Sequence, residues 1–370
     1  MKVLHIIDSL AQGGAEVLLT QLLPKLKEKN CEIVVVTRRN DVPLAPMLIS
    51  KNILVFSLGF NGTVYDIRDF VNAVIKLKNI IENEKPDIIH SHLWLSDILA
   101  KLVAGKIPVV TTLHSPDPWW FQKKRIRSIL KTKLEAFLSK RSNCWFIACS
   151  NSVYYAAKNA LNISPDKIKT IYNGIDLEKF CIKSENNCHF TIIQIGRIEP
   201  RKGYEVSLRA FQILKKTVPQ AKLWIVGKGS DKFTLYLEKL INDLTIRDVE
   251  FLGIRDDVPD LLRKADILWM PSDYEGFGIA CIEAMASGLP VIATDVSSLN
   301  EVVINGETGY LIRKGDYAEL TRHTINLFLS PDKMKIMGQA GRNSVKENFT
   351  IEMTADGYFS LYASIIGGQK

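Results

Sequence analysis

The sequence predicts two successive α/β units, each a mostly parallel sheet with crossover helices. Three observations carry this. Short apolar runs alternate with helix-like stretches from end to end. Most of the runs hold several consecutive apolar residues, as strands covered on both faces do. The alternation pauses at an Asn-Gly turn near the middle and then begins again. A length of 370 residues also exceeds one ordinary core, which favours two domains.

In order, the buried-strand candidates of the first unit are VLHII (3–7), EIVVVT (32–37), ILVFSL (53–58), DIIHSH (87–92), PVVTTLH (108–114) and CWFIACS (144–150). TIYNGIDLEKF (170–180) holds Asn173-Gly174, so the join is expected near 172–182. The second unit follows with FTIIQIG (190–196), KLWIVG (222–227), VEFLG (249–253), DILWMP (266–271) and PVIATD (290–295). From about Phe349 to Ile366, Met353, Tyr358, Leu361, Tyr362 and Ile365 fall at helical spacing and predict a closing helix.

Composition narrows the class. An apolar content of 46% and a charged content of 24% are those of a globular protein. No apolar run is long enough to span a bilayer, and the start reads as a strand, not a signal peptide. The six cysteines form no C-x-x-C pair and have no accompanying histidine cluster. That argues against a zinc site or a disulfide framework, and for a reducing cytoplasm. The net charge of +8 is uneven: residues 1–180 carry 25 Lys+Arg against 16 Asp+Glu, whereas 181–370 carry 23 against 24. An anionic partner is therefore expected on the first half.

Ligands of open α/β sheets bind beyond the carboxyl ends of the strands, so the residues after each strand matter most. After the first strand, Gly13-Gly14 open an apolar helix. They suit either a close phosphate approach or a plain tight turn. The full dinucleotide pattern G-x-G-x-x-G is absent, which argues against NAD. His114 ends PVVTTLH ahead of Ser115-Pro116. There it would donate to a ligand hydroxyl or steady a developing charge, against the plainer reading of a core histidine. His90 falls inside a strand, and it and His92 read as core.

Residues 119–141, WWFQKKRIRSILKTKLEAFLSKR, hold eight Lys/Arg and one acid, Glu135. They open with Trp119, Trp120 and Phe121, and Ile126, Ile129, Leu130, Leu134, Phe137 and Leu138 follow at helical spacing. Such a helix either lies on an anionic bilayer or packs an apolar stripe into the core beneath a solvated basic face. No nucleic-acid module is recognisable, so nucleic acid is not an expected partner.

In the second unit, Arg197 and Lys202 of IGRIEPRKG stand at one strand end. Two cations there suit a diphosphate: arginine forks onto oxygens and lysine adds a point charge. Lys228 and Arg255 occupy the next two strand-end loops, where they would line a base or ribose. In PSDYEGFGIACIEAMASGLPVIATD, Glu275 precedes a helix opening near Gly276, Phe277, Gly278 and Ile279, and Ser287-Gly288 close it. The Gly278 and Ile279 amides would be unpaired helix-start donors for a phosphate or sugar oxygen. Carboxylates accept vicinal hydroxyls, so Glu275 would take a sugar and Glu283 a ribose. The alternative for Glu283 is a surface position, but Ala280, Ile282, Ala284 and Ala286 around it mark a buried helix.

With these residues placed, the chain resembles the retaining glycosyltransferases of family 4, which have the GT-B architecture. The likeness runs along nearly the whole chain. It rests on the E-x7-E pattern from Glu275 to Glu283, with GGAE (13–16), GR and KG at 196–197 and 202–203, YNGID (172–176) and the loop at 251–259. Each element is weak alone; together and in order they are specific. The resemblance implies two Rossmann-like domains facing a deep cleft. These would be 1–172 for the acceptor, 173–349 for the nucleotide-sugar donor, and a terminal helix, 350–370, crossing back onto the first domain.

It also implies transfer of a hexosyl group from a nucleoside-diphosphate sugar to an acceptor hydroxyl, with retention and no metal. The sequence holds no D-x-D triplet, in keeping with that. By this likeness Arg197 and Lys202 hold the diphosphate, Gly14 touches it, and Glu283 binds ribose. Glu275 and the backbone of 276–278 bind the donor sugar, and His114 contacts that sugar. A front-face substitution is expected, in which the departing diphosphate takes the acceptor's proton. Glu275 as a covalent nucleophile is the rival. The expected acceptor is lipid-linked or of lipopolysaccharide type, the expected donor base uridine, and the expected location the cytoplasm, at the inner membrane face. Rival functions are a nucleotide-sugar epimerase, a glycan phosphorylase, for which no pyridoxal-phosphate lysine is evident, and a non-catalytic, membrane-associated sugar-nucleotide binder.

Overall fold

The computed structural model describes residues 1–11, 13–63, 66–115, 126–141, 143–182 and 189–368. It divides into one unit of 1–174 with 351–370 and a second of 175–350. Each is built around one parallel sheet.

The first sheet comprises β1 (Lys2–Ile7), β2 (Glu32–Thr37), β3 (Leu54–Ser57), β4 (Ile88–His92), β5 (Val109–Leu113), β6 (Cys144–Ala148) and β7 (Ile168–Thr170), in the order β3-β2-β1-β4-β5-β6-β7. β1, β4 and β5 are central and almost wholly buried; β1 runs mostly apolar, whereas β4 (IIHSH) and β5 (VVTTL) bury His, Ser and Thr side chains as well. The order reverses between β1 and β4, the topological switch point of this sheet. The register sets His5 beside His90, and His92 beside Thr112.

The second sheet comprises β8 (Thr191–Ile195), β9 (Lys222–Val226), β10 (Val249–Gly253), β11 (Ile267–Met270), β12 (Val291–Thr294) and β13 (Gly309–Ile312), ordered β10-β9-β8-β11-β12-β13. Its switch point lies between β8 and β11. The core around it gathers Ile192, Leu208, Phe211, Leu223, Ile225 and Trp269, all fully buried.

Two strands, β7 and β13, escape the sequence reading. Both are edge strands of three or four residues paired on one side only. The closing helix forms over Ile351–Gly367 and packs on Gly14–Glu28 of the first unit. Its buried stripe is Ile351, Thr354, Ala355, Tyr358, Leu361, Tyr362 and Ile365. Met353 is not part of it: at about 100° per residue it sits opposite that stripe, and it is exposed.

The basic helix, Ile126–Arg141, exposes apolar residues alongside its cations. Glu135 and Leu138 are buried, while Ile129, Leu130, Leu134 and Phe137 are 43%, 59%, 40% and 54% exposed. The polar core beneath explains this. Asp97 pairs with Lys101 at 2.5 Å and accepts from Ser91 and Thr111 at 2.7 and 2.6 Å, and Lys101 donates to Ser139 at 3.0 Å. Burial pushes the Glu135 carboxyl up to about 8. Of the two readings of this helix, the core stripe is reduced to Leu138, and Ile129, Leu130, Leu134 and Phe137 face outward. Trp119, Trp120, Phe121 and the cations at 123–125 lie outside the described residues. No described helix is long and apolar enough to cross a membrane. Cys31, Cys144, Cys149, Cys181 and Cys281 are free thiols.

Candidate active site

Two loops meet at the switch point of the second sheet. The loop after β8 runs through the short turn Pro200–Lys202 to Gly203, whose φ is +71°. A Cβ there would sit 2.0 Å from the carbonyl oxygen of Pro271, so only glycine lets this loop press against the one after β11. The loops are then fastened: the Asp273 N–H donates to the Arg201 carbonyl at 2.7 Å, and Gln194 Nε2 to the Lys202 carbonyl at 2.8 Å.

This apposition delivers Lys202 to Glu275. Lys202 Nζ lies 2.6 Å from Glu275 Oε1, and Ser272 Oγ donates to the same oxygen at 2.7 Å. Arg201 stands 4.0 Å from Oε2 and 2.5 Å from Glu199. Glu275 is only 6% exposed, so its charge is held by this pairing and not by water. An ammonium has three donors, and the described residues take one of those on Lys202, leaving the others for an anion.

Past Glu275 the chain enters the helix Ile279–Ala286 through Gly278 at φ +94°, where a Cβ would press on Leu299. Phe277 is buried against Phe349, with ring centroids 5.6 Å apart. The N–H groups of Gly278 and Ile279 have no acceptor among the described residues, so the helix start presents free donors. Glu283, one turn in, is half-buried and makes no side-chain hydrogen bond or ion pair among them. Burial pushes its carboxyl up to about 7. A half-buried carboxylate with no partner among the described residues is costly to keep ionised.

Around this centre Arg197 is exposed, its fork 3.4 Å from Glu199, and Lys228 is exposed without a side-chain partner among the described residues. Arg255 lies on the loop of edge strand β10 and is held bidentate by Asp257 at 2.7 and 2.6 Å. That places it two strands from β8, roughly 10 Å away at ordinary strand spacing.

In the first unit, His114 follows β5. Its Nε2 is 3.2 Å from His92 Nδ1, and His92 Nε2 is 3.2 Å from His5 Nδ1. Burial pushes His114 down to about 4 and His5 to about 3, and lowers His90 and His92 as well. All four are neutral at physiological pH. Gly14 is the exposed first residue of its helix, and Glu16 folds back over Gly13.

Two family models match in succession: "Glycosyltransferase Family 4" over residues 12–179 and "Glycosyl transferases group 1" over 178–344. This chain belongs to the family 4 glycosyltransferases. Among its relatives is N-acetyl-alpha-D-glucosaminyl L-malate synthase of Bacillus anthracis, 28% identical over 97% of this chain and 96% of the relative. Another is the UDP-Gal:alpha-D-GlcNAc-diphosphoundecaprenol alpha-1,3-galactosyltransferase of Escherichia coli, 27% identical over 80% of each. Among solved structures, Anabaena HepE in complex with UDP-glucose aligns with a TM-score of 0.86 at 22% identity, covering 98% of this chain and 100% of that one. That last likeness is one of fold, the GT-B architecture of two Rossmann-like domains.

For this glycosyltransferase the structure brings together Lys202, Glu275, Gly276, Phe277, Gly278, Ile279 and Glu283 within one unit, with Arg197 and Lys228 at its rim. It gives Arg255 a partner in its own loop. Sequence reasoning missed Arg201 and Ser272. Arg201 stood beside the lysine already singled out, but nothing in the sequence said which cation would turn toward Glu275. It also missed the histidine cluster. His5, His90 and His92 are far apart or ordinary in sequence, yet their ring nitrogens come within 4.8 Å of one another. The rings are nearly parallel, 13° to 29° apart, so their in-plane lone pairs lie side by side and do not converge as metal ligands do.

Proposed function

We propose that this glycosyltransferase is a retaining, metal-independent hexosyltransferase. It takes the sugar of a nucleoside-diphosphate sugar, with UDP as the preferred carrier, and delivers it to a hydroxyl of a lipid-linked or lipopolysaccharide-type acceptor. The observation that carries this is the constellation of the buried Lys202–Glu275 pair, the open helix start at Gly278 and the uncompensated Glu283. A diphosphate needs cations and N–H donors, and a ribose needs a carboxylate. The second unit supplies them from two loops that meet at its switch point, Lys202 from the one after β8 and the Gly278–Glu283 helix start from the one after β11. The galactosyltransferase named above, whose name gives a UDP-sugar and a diphosphoundecaprenol acceptor, supports donor and acceptor class alike.

In this reading Arg197, Lys202 and Lys228 neutralise the diphosphate, helped by the Gly278 and Ile279 amides and by Gly14. Glu283 accepts from the ribose hydroxyls. Glu275 fixes Lys202 through Oε1 and accepts from a sugar hydroxyl through Oε2, with Gly276 and Phe277 shaping that end. Arg255 reaches the base only by releasing Asp257. His114, uncharged, donates to a sugar oxygen. The bond from the anomeric carbon to the diphosphate breaks as the bond to the acceptor oxygen forms on the same face. The acceptor's proton passes to the departing phosphate oxygen. Lysine and arginine charge stabilises that leaving group without a metal. A nucleophilic Glu275 is disfavoured because its charge is already spent on Lys202 and Ser272.

The outward apolar face of Ile126–Arg141, with exposed Lys131, Lys133 and Lys140 along the same helix, supports docking on an anionic bilayer that carries the acceptor. A small soluble hydroxyl acceptor is the second reading, favoured by the near-full-length likeness to a glucosaminyl malate synthase.

Calorimetric titration of the full chain in chelator with UDP, GDP and ADP, repeated on Arg197→Ala and Glu283→Ala, tests the donor half. Tight binding of one nucleotide, weakened in both variants, is expected; binding of none by a folded sample removes the transferase reading. Flotation with anionic vesicles at low salt tests the acceptor half, and failure to float leaves the soluble acceptor.

A further inference from the structure

His5, His90, His92, Thr112 and His114 share one face of the first sheet, because β1, β4 and β5 pair in register and alternate residues of a strand share a face. Along that face runs an unbroken line of imidazoles: His5 Nδ1 to His92 Nε2, then His92 Nδ1 to His114 Nε2, each 3.2 Å. His90 stands outside the line. Its Nε2 meets Thr112 Oγ1 at 2.7 Å, its Nδ1 meets the Tyr362 hydroxyl, and its ring stacks on His92 at 4.4 Å and on His5 at 4.9 Å. It therefore holds the other two rings in place without exchanging hydrogen bonds with them.

Each neutral imidazole carries one N–H and one lone pair, so the line can run in only two directions. In one, His5 and His92 both donate from Nδ1, His114 accepts at Nε2, and the His114 proton sits on Nδ1. In the other, His114 donates from Nε2, the protons shift along, and His5 is left with its proton on Nε2. The far end decides between them. His5 Nε2 is buried with no partner. A buried donor without an acceptor is rarer in folded proteins than an under-used acceptor, so the direction that leaves a bare lone pair there is favoured.

We propose that His5 and His92 are positioning residues that lock His114 as the Nδ1–H tautomer, so that its open nitrogen is a hydrogen-bond donor and never a base. Nothing among the described residues pairs with that nitrogen, which leaves it for a ligand oxygen. A His114 so locked cannot take the acceptor's proton, and that duty falls to the departing diphosphate. This consequence for transfer rests on the function proposed above; the tautomer itself does not.

The test is a long-range 1H–15N spectrum of the full chain labelled at histidine, near neutral pH, with His114 assigned from the signals lost in His114→Gln. The expected result is a pyrrole-type Nδ1 and a pyridine-type Nε2 at His114. A pyrrole-type Nε2 there overturns the proposal; the tautomer is read on the wild-type chain, and the assignment uses a His114→Gln sample whose other histidine signals coincide with those of wild type. In a folded His92→Leu, His114 should become a mixture of tautomers. Its kcat should fall about tenfold, the upper range for one hydrogen bond, with UDP affinity unchanged. A His114 that stays wholly Nδ1–H in that variant overturns the role of the line. Absence of any transfer in wild type would sink the proposed function while the spectrum still reads the tautomer.

Discussion

Glu283→Gln should make the unliganded protein more stable and the nucleotide complex weaker. Burial raises the Glu283 carboxyl from 4.5 to about 7. That gap of about 2.5 corresponds, at ~1.36 kcal/mol per pH unit, to about 3 kcal/mol against folding once the folded carboxyl is ionised. The side chain is half-buried, so water relaxes part of this, and about 1–2 kcal/mol is a fair expectation. The sign follows from the raised value. The protonated native form is tolerated in full below about pH 4.5, and stability is lost as pH rises through about 7. Glutamine is a neutral isostere, so its advantage over wild type should be large at pH 8 and small at pH 5. For a unit of this size, 1–2 kcal/mol shifts Tm by about 2–8 °C. Scanning calorimetry of both proteins at the two pH values, with UDP titrations alongside, measures this. An advantage equal at both pH values, or a variant less stable than wild type at pH 8, would refute the idea of an uncompensated carboxylate.

UDP affinity of the wild type should fall as pH drops below about 7, by up to about tenfold per pH unit, because ribose hydroxyls need the ionised form of Glu283; the slope should vanish in Glu283→Gln when followed by calorimetry. Lys202→Met leaves the buried Glu275 with only Ser272 and the more distant Arg201 and should cost about 3 kcal/mol in urea unfolding, whereas Lys202→Met with Glu275→Leu should recover most of that stability but no transfer activity. Gly203→Ala should cost about 2 kcal/mol or more, since φ is +71° and the new Cβ meets the Pro271 carbonyl, and kcat should fall with it as Lys202 is displaced. Leu134→Glu with Phe137→Glu, both on the outward face, should abolish flotation with anionic vesicles and leave UDP affinity and Tm near wild type.

The strands with long apolar runs were legible in the sequence because a parallel strand covered on both faces must be apolar along its length, whatever its neighbours are. β1, β2, β8, β9, β11 and β12 obey that rule, and β7, β10 and β13, at sheet edges, lie outside it. The chemistry at strand ends was legible for a related reason. Glycines, cations and carboxylates clustered just after a strand have no packing duty there, so Glu275, Glu283, Arg197 and Lys202 stood out. What the sequence by itself determined, then, is two α/β units and a residue set suited to a diphosphate and its sugars. Pairing was not legible, because it depends on which loops touch. Gly203 beside Pro271 turns Lys202 toward Glu275 and sets Arg201 alongside, while Asp257 claims Arg255. The basic helix could face either way until Asp97 and Lys101 placed a polar core beneath it and turned Leu130, Leu134 and Phe137 outward. Histidines 5, 92 and 114 became one line, with His90 stacked beside it, only through the register of three strands. Periodicity is a local property of the chain and survives in its sequence; contact between residues far apart in the chain is set by sheet order, and only the tertiary structure decides it.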